Sequence, residues 1–169
     1  WTRTLPSITR YSASPASPTR SVPWGSAALA IYAAGLLLLS LRLAYGRSTL
    51  ARMVEHSTQV QDPVWRALLR ECEALMGVKE PVRLLRSLDR SMPMTFGLHT
   101  PTILIPAIAD TWSEDRRRAV LLHELAHIDR RDCLTQFLAE ITCAAYWVHP
   151  AVWLVAERMK VERELACDD

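Results

Sequence analysis

Nothing in this chain invites a disulfide or a structural metal knot. Cys72, Cys133, Cys143 and Cys167 form no CxxC pair and show no spacing of a structural zinc site. Reduced, buried thiols are the plain expectation. Net charge is only +2, so no direct nucleic-acid partner is implied by electrostatics. The short basic run Arg116 to Arg118 reads as a solvated first helical turn. The opening segment does not read as a secretory signal, because the apolar run comes too late and is too long. Residues 1–23 lack apolar periodicity; Ser, Thr and Pro with scattered Arg predict a flexible loop or tail there.

The tail gives way to its opposite. No charged residue lies between Arg20 and Arg42. Twenty residues at 1.5 Å rise cover roughly the 30 Å hydrocarbon thickness of a bilayer, so residues 24–46 predict a transmembrane helix with the lipid bilayer as partner. Trp24 and Tyr45 fall where aromatic side chains favour the two interfaces. Arg42, Arg47 and Arg52 come after the span, against Arg10 and Arg20 before it, which favours a cytoplasmic C-terminal side.

A small α/β region comes next. Asp62-Pro63 predicts an N-cap with Pro at the first helical position. Val64, Trp65, Leu68, Leu69, Cys72, Leu75 and Met76 mark an apolar face, and Gly77 ends the helix. Short strands are expected at 81–86, 94–96 and 102–105, the last two joined by a turn beginning at Gly97.

The chemistry concentrates in His123-Glu124-Leu125-Ala126-His127. Thr111-Trp112-Ser113-Glu114 predicts a capping box with Thr111 as N-cap and Ser113 as competitor, so the segment is helical. On a helix, two residues four apart share a face roughly 5–6 Å apart at Cβ, from which two imidazoles can grip one zinc ion while Glu124 serves as general base. The surrounding Ala119, Val120, Leu121, Leu122, Leu125, Ala126 and Ile128 predict a largely buried helix. Its buried His123, Glu124 and His127 need partners, which a metal supplies.

A third protein ligand is required, with a fourth position left open. Glu164 and Asp168 lie four apart near the C-terminus, where Glu164 could ligate and Asp168 accept from a ligand histidine. Glu162 points to the other side, and Cys167 is a minor rival near the same face. Taken alone, the segment is a charged helix end. Beyond the motif, 133–148 is strongly apolar and His149-Pro150 breaks it before a helix resumes at Ala151. Each piece is short for a span, so a hairpin under the active-site helix, touching lipid, is expected. His149 reads as a turn residue that caps a helix. Tyr146, His149 and Arg163 are unranked candidates for oxyanion stabilisation.

Several motifs in order give a resemblance to the Bla/Mec-type antirepressor family of integral membrane zinc metallopeptidases. They are His123 to His127 followed by Ile128-Asp129-Arg130-Arg131-Asp132, then Trp147-Val148-His149-Pro150, then Glu162 to Asp169, with Pro93 to Gly97 and Pro101 to Pro106 upstream. The resemblance implies a mainly α fold with a small β-sheet (α+β), a transmembrane helix followed by a gluzincin-like zinc metallopeptidase domain over 47–169. It implies Zn2+ held by His123, His127 and Glu164, Glu124 as base, and Asp168 holding a ligand histidine. It further implies a cell-membrane protein, multi-pass in a full-length parent, with a cytoplasmic catalytic domain. The substrate class is then a protein or peptide, such as a transcriptional repressor, cleaved in antibiotic-response signalling. A non-catalytic membrane signalling scaffold with a structural metal site is the alternative. The start at Trp1 and the stop at Asp169 predict a piece of a longer gene product.

Overall fold

The computed structural model describes residues 23–88 and 92–168, the Asp168 side chain excepted. The expected tail thus lies outside the described residues but for Pro23. The elements run α1 (Trp24–Glu55), β1 (Thr58–Gln59), α2 (Pro63–Met76), β2 (Arg83–Ser87), β3 (Met94–Phe96), β4 (Thr102–Pro106), α3 (Glu114–Asp129), α4 (Asp132–Ala145) and α5 (Pro150–Asp168), with a 3-10 turn at Ala107–Thr111. This is the mainly α architecture with a small mixed sheet that was expected.

Helix α1 continues beyond the expected boundary at residue 46 to Glu55. Charge ends an apolar run but not a helix: Arg, Leu, Ala and Met beyond Tyr45 are good helix formers. Ser48 and Thr49 bond back to the Tyr45 carbonyl at 2.8 and 3.0 Å. Among the described residues α1 is the one helix long and apolar enough to cross a membrane by length and composition.

The sheet has the order β1-β2-β4-β3. β2 and β4 are parallel, from Arg83 opposite Thr102 to Ser87 opposite Pro106. β3 pairs antiparallel with β4, Met94 opposite Leu104, and forms one edge. Every residue of β4 is buried, as a continuous apolar run dictates for a central strand. Gly97, at φ 105°, makes the turn between β3 and β4, where any Cβ would collide with the Thr100 carbonyl. The two-residue strand β1 carries no pattern that predicts it.

Helix α2 caps as its sequence dictates. The Asp62 carboxylate accepts from the Val64 N–H at 2.8 Å, Pro63 opens the helix, and Gly77 closes it in the left-handed region at φ 71°. Trp65, Leu68, Leu69 and Cys72 are buried, whereas Val64 and Leu75 face out. These four meet Leu84, Ile103, Ile105, Leu121, Leu125 and Ile128 in one core between the sheet, α2 and α3. Removing the cap by Asp62→Ala is expected to cost about 1 kcal/mol, read as a lowered thermal midpoint by circular dichroism.

At the head of α3, Ser113 is the N-cap, accepting from Arg116 N–H at 3.4 Å; Thr111 instead bonds the Ile108 carbonyl within the 3-10 turn. The basic run is engaged rather than merely solvated. Arg118 grips Glu71 of α2 at 2.7 and 3.1 Å, Arg117 covers the Trp65 ring while donating to the Asp110 carbonyl, and Arg116 stacks on Trp112. The helix buries one face (Leu121, Glu124, Leu125, Ile128) and not most of its circumference.

Candidate metal centre

The i, i+4 spacing on α3 sets the His123 and His127 rings edge to face with centroids 4.9 Å apart. Their donor atoms and the Cys167 sulfur all lie within 4.8 Å of one another. Two imidazole nitrogens with a further donor from a second helix form a set of the kind that suits a borderline-soft divalent metal. Of the anticipated side chains, Glu164 is exposed and is not in that group. Asp168 belongs to α5, but its side chain lies outside the described residues. Cys167, a minor rival on sequence grounds, is the α5 residue that reaches in, its sulfur 3.4 Å from His127 Nδ1 and 3.6 Å from Nε2.

Glu124, beside His123 on the same helix, is only 6% exposed. Its Oε2 accepts from the Thr95 hydroxyl at 2.6 Å. Thr95 is the central residue of edge strand β3, so the carboxylate is held beside the strand's free edge. Cys133 Sγ, at the start of α4, contacts the Thr95 carbonyl at 3.7 Å. Strand and helices therefore meet at Thr95, a residue whose role no local spacing reveals.

Asp132 is the second residue that sequence reasoning missed. His127 Nδ1 donates to its Oδ2 at 2.7 Å, which fixes the tautomer and leaves Nε2 with its lone pair. The reach depends on Arg131, which ends α3 in the left-handed region at φ 56° and lets α4 start afresh with Asp132 buried. Burial opposes the charge on Asp132, but hydrogen bonds from Arg130 and His127 outweigh it and hold the carboxyl below its ordinary range. Arg130 also straps α5 to this corner. Its Nη2 donates to Asp132 at 2.9 Å, to the Arg163 carbonyl at 3.0 Å and to the Cys167 sulfur at 2.6 Å, and its Nη1 to the Ala166 carbonyl at 2.7 Å. Burial pushes the Cys167 thiol up despite that guanidinium.

Among the oxyanion candidates, Tyr146 and His149 sit at the far end of α4, about 20 Å of helix from Asp132. His149 does what a turn residue does, its Nδ1 accepting from Ala151 N–H at 3.3 Å. Arg163 stays at the near end, donating to the Asp132 carbonyl at 3.3 Å and to Gln136 Oε1 at 2.6 Å. His56 and His99 are exposed.

Comparison with known proteins finds the family described as BlaR1 peptidase M56 over residues 2–169. The chain is 29% identical over 143 residues to a Bacillus licheniformis protein named Regulatory protein BlaR1, covering 85% of this chain and 24% of that protein. It is 25% identical over 114 residues to the Methicillin resistance mecR1 protein of Staphylococcus aureus and to that of Staphylococcus epidermidis, covering 66% of this chain and 20% of each. The chain thus spans about a quarter or less of the length of these curated relatives.

Proposed function

This chain belongs to the BlaR1 peptidase M56 family, and on that premise we propose that it carries the catalytic centre of a membrane-anchored zinc metalloendopeptidase acting in regulatory proteolysis. The observation that supports the reading most is the conjunction on α3: two imidazoles set edge to face, and beside them in the sequence a buried carboxylate tied to the edge strand β3. His123 and His127 would hold zinc, with Glu164 of α5 as third ligand and Asp168 as a further support. Zinc, when bound, supplies Lewis acidity toward the scissile carbonyl and acidifies the attacking water.

The chain's own groups supply the rest. The outer edge of β3 offers main-chain donors and acceptors to an extended peptide, adding it as a further strand with little demand on sequence. Thr95 orients Glu124 by holding one carboxylate oxygen, leaving the other to take a proton from water and return it to the leaving amine. Asp132 keeps the His127 ring turned with Nε2 forward. The substrate is a protein, with a transcriptional repressor in antibiotic-response signalling as the specific case, and Arg42, Arg47 and Arg52 in the C-terminal half of α1 favour a cytoplasmic catalytic side.

The test is elemental analysis of purified protein combined with a cleavage assay. About one zinc per chain and hydrolysis abolished by a chelator are expected; protein purified without metal, or cleavage indifferent to chelation, overturns the proposal. Loss of the imidazole support by Asp132→Ala is expected to weaken zinc binding by about 10- to 100-fold, measured by competition with a chelating dye. The gathering of Cys167 beside the two histidines favours a second reading, a signalling scaffold with a closed structural site. In that case His123→Ala destroys signalling while Glu124→Gln leaves it intact.

A further inference from the structure

The structure points to an unassigned lipid contact: we infer that the α4–α5 hairpin dips into one leaflet of the bilayer beside α1, without crossing it. The inference rests on reading α1 as a membrane span. Three independent features carry it.

The first is a match of charge level. Arg42 and Arg47 of α1, Glu140 of α4, and Glu157 and Lys160 of α5 line one shared cavity of about 820 Å³. Beyond this belt both partners lose charge together: α1 has none back to Trp24, and the hairpin has none from Ile141 to Ala156. Seven residues of α5 from Glu157 back to Pro150, at 1.5 Å each, put the turn about 10 Å past the belt, about a third of a 30 Å hydrocarbon layer.

The second is the seat of the tip on α1. The Trp147 indole fills the space where a Cβ on Gly35 would sit, so only glycine admits it. Trp147 Nε1 donates to the Tyr32 carbonyl at 3.3 Å, and the Tyr32 hydroxyl donates to the Ala145 carbonyl at 2.5 Å. Tyr32 and Gly35 lie near the middle of the apolar run, far from its charged end, and a tip seated there shares their depth.

The third is how the turn treats its backbone. Irregular backbone survives in hydrocarbon only when its polar groups have partners. Here Trp153 Nε1 donates to the Trp147 carbonyl at 3.1 Å, His149 N–H to the Tyr146 carbonyl at 2.9 Å, and Tyr32 covers the Ala145 carbonyl. Outward stand Val148, 63% exposed, Leu154, 68%, and Tyr146, with one exposed imidazole, His149, whose Nδ1 accepts from the Ala151 N–H. Acyl chains fit a surface that is uncharged, aromatic-rimmed and contiguous with α1. At the other end of the hairpin lies Asp132, so the metal centre hangs close to the membrane face.

The test places the photocrosslinker p-benzoylphenylalanine at Val148 or Leu154, at Leu38 on α1, and at Asp115 as a control at the head of α3. The whole protein is illuminated in vesicles of phosphatidylethanolamine and phosphatidylglycerol, and adducts are identified by mass spectrometry. Positions 148 and 154 are expected to yield acyl-chain adducts at a level comparable with position 38 and about tenfold or more above position 115. Protein adducts, or none, at 148 and 154 with lipid adducts at 38 overturn the hairpin's insertion and leave the α1 span standing. Lipid adducts at none of the positions remove both.

Discussion

Glu124→Gln is expected to keep its metal and to lose peptide hydrolysis by about a hundred- to ten-thousandfold, the range a positioned general base contributes. The amide has the shape of the carboxylate, and its oxygen can still accept from the Thr95 hydroxyl, which sits 2.6 Å from Glu124. Packing around a residue only 6% exposed is therefore preserved. The amide cannot, however, take a proton. Elemental analysis checks the metal and gel-resolved cleavage of a protein substrate checks the rate. Undiminished proteolysis would strip Glu124 of its role; loss of zinc would mean that the residue holds the metal or the fold.

Glu164→Gln is expected to weaken zinc binding by about a hundredfold or more, because it replaces the charged member of three protein ligands by a neutral amide, a poorer donor to zinc. Cys167→Ala should change it little. The reason is prior engagement. The Cys167 sulfur already accepts from Arg130 at 2.6 Å, whereas the Glu164 side chain, one turn back on the same helix face, is exposed and has no hydrogen bond or ion pair among the described residues. Paired isotherms on the two variants decide between them. The opposite ranking would make the thiol the third ligand and give the site the N, N, S donor set of the group the structure gathers.

The parts of this fold that were legible in advance are those whose physics is local. Asp62, Pro63 and Gly77 specify α2 from cap to cap because each acts on its own turn of backbone. The His123–His127 spacing needs only a helix to become a pair of facing rings. The cap of α3 was ambiguous because Thr111 and Ser113 carry equivalent hydroxyls, and the preceding 3-10 turn claimed the first of them. Strand β1 was invisible: Thr58 and Gln59 are exposed and become a strand only by pairing with Arg86 and Leu85. Thr95 lies 29 residues from the carboxylate it holds, and no periodicity encodes such a contact. Asp132 stood in plain view five residues after His127, yet its role depends on a left-handed residue that no propensity predicts for arginine.

That residue, Arg131, limits how freely this stretch of chain can drift over generations. Glycine or asparagine at 131 would keep the reversal at little cost, since both visit positive φ readily. Valine or isoleucine would resist it, and the easier path would be to run α3 straight on into α4. The carboxylate of Asp132 would then swing round the cylinder and part from the His127 ring. A conformational rarity outside the motif thus polices which descendants keep a working imidazole.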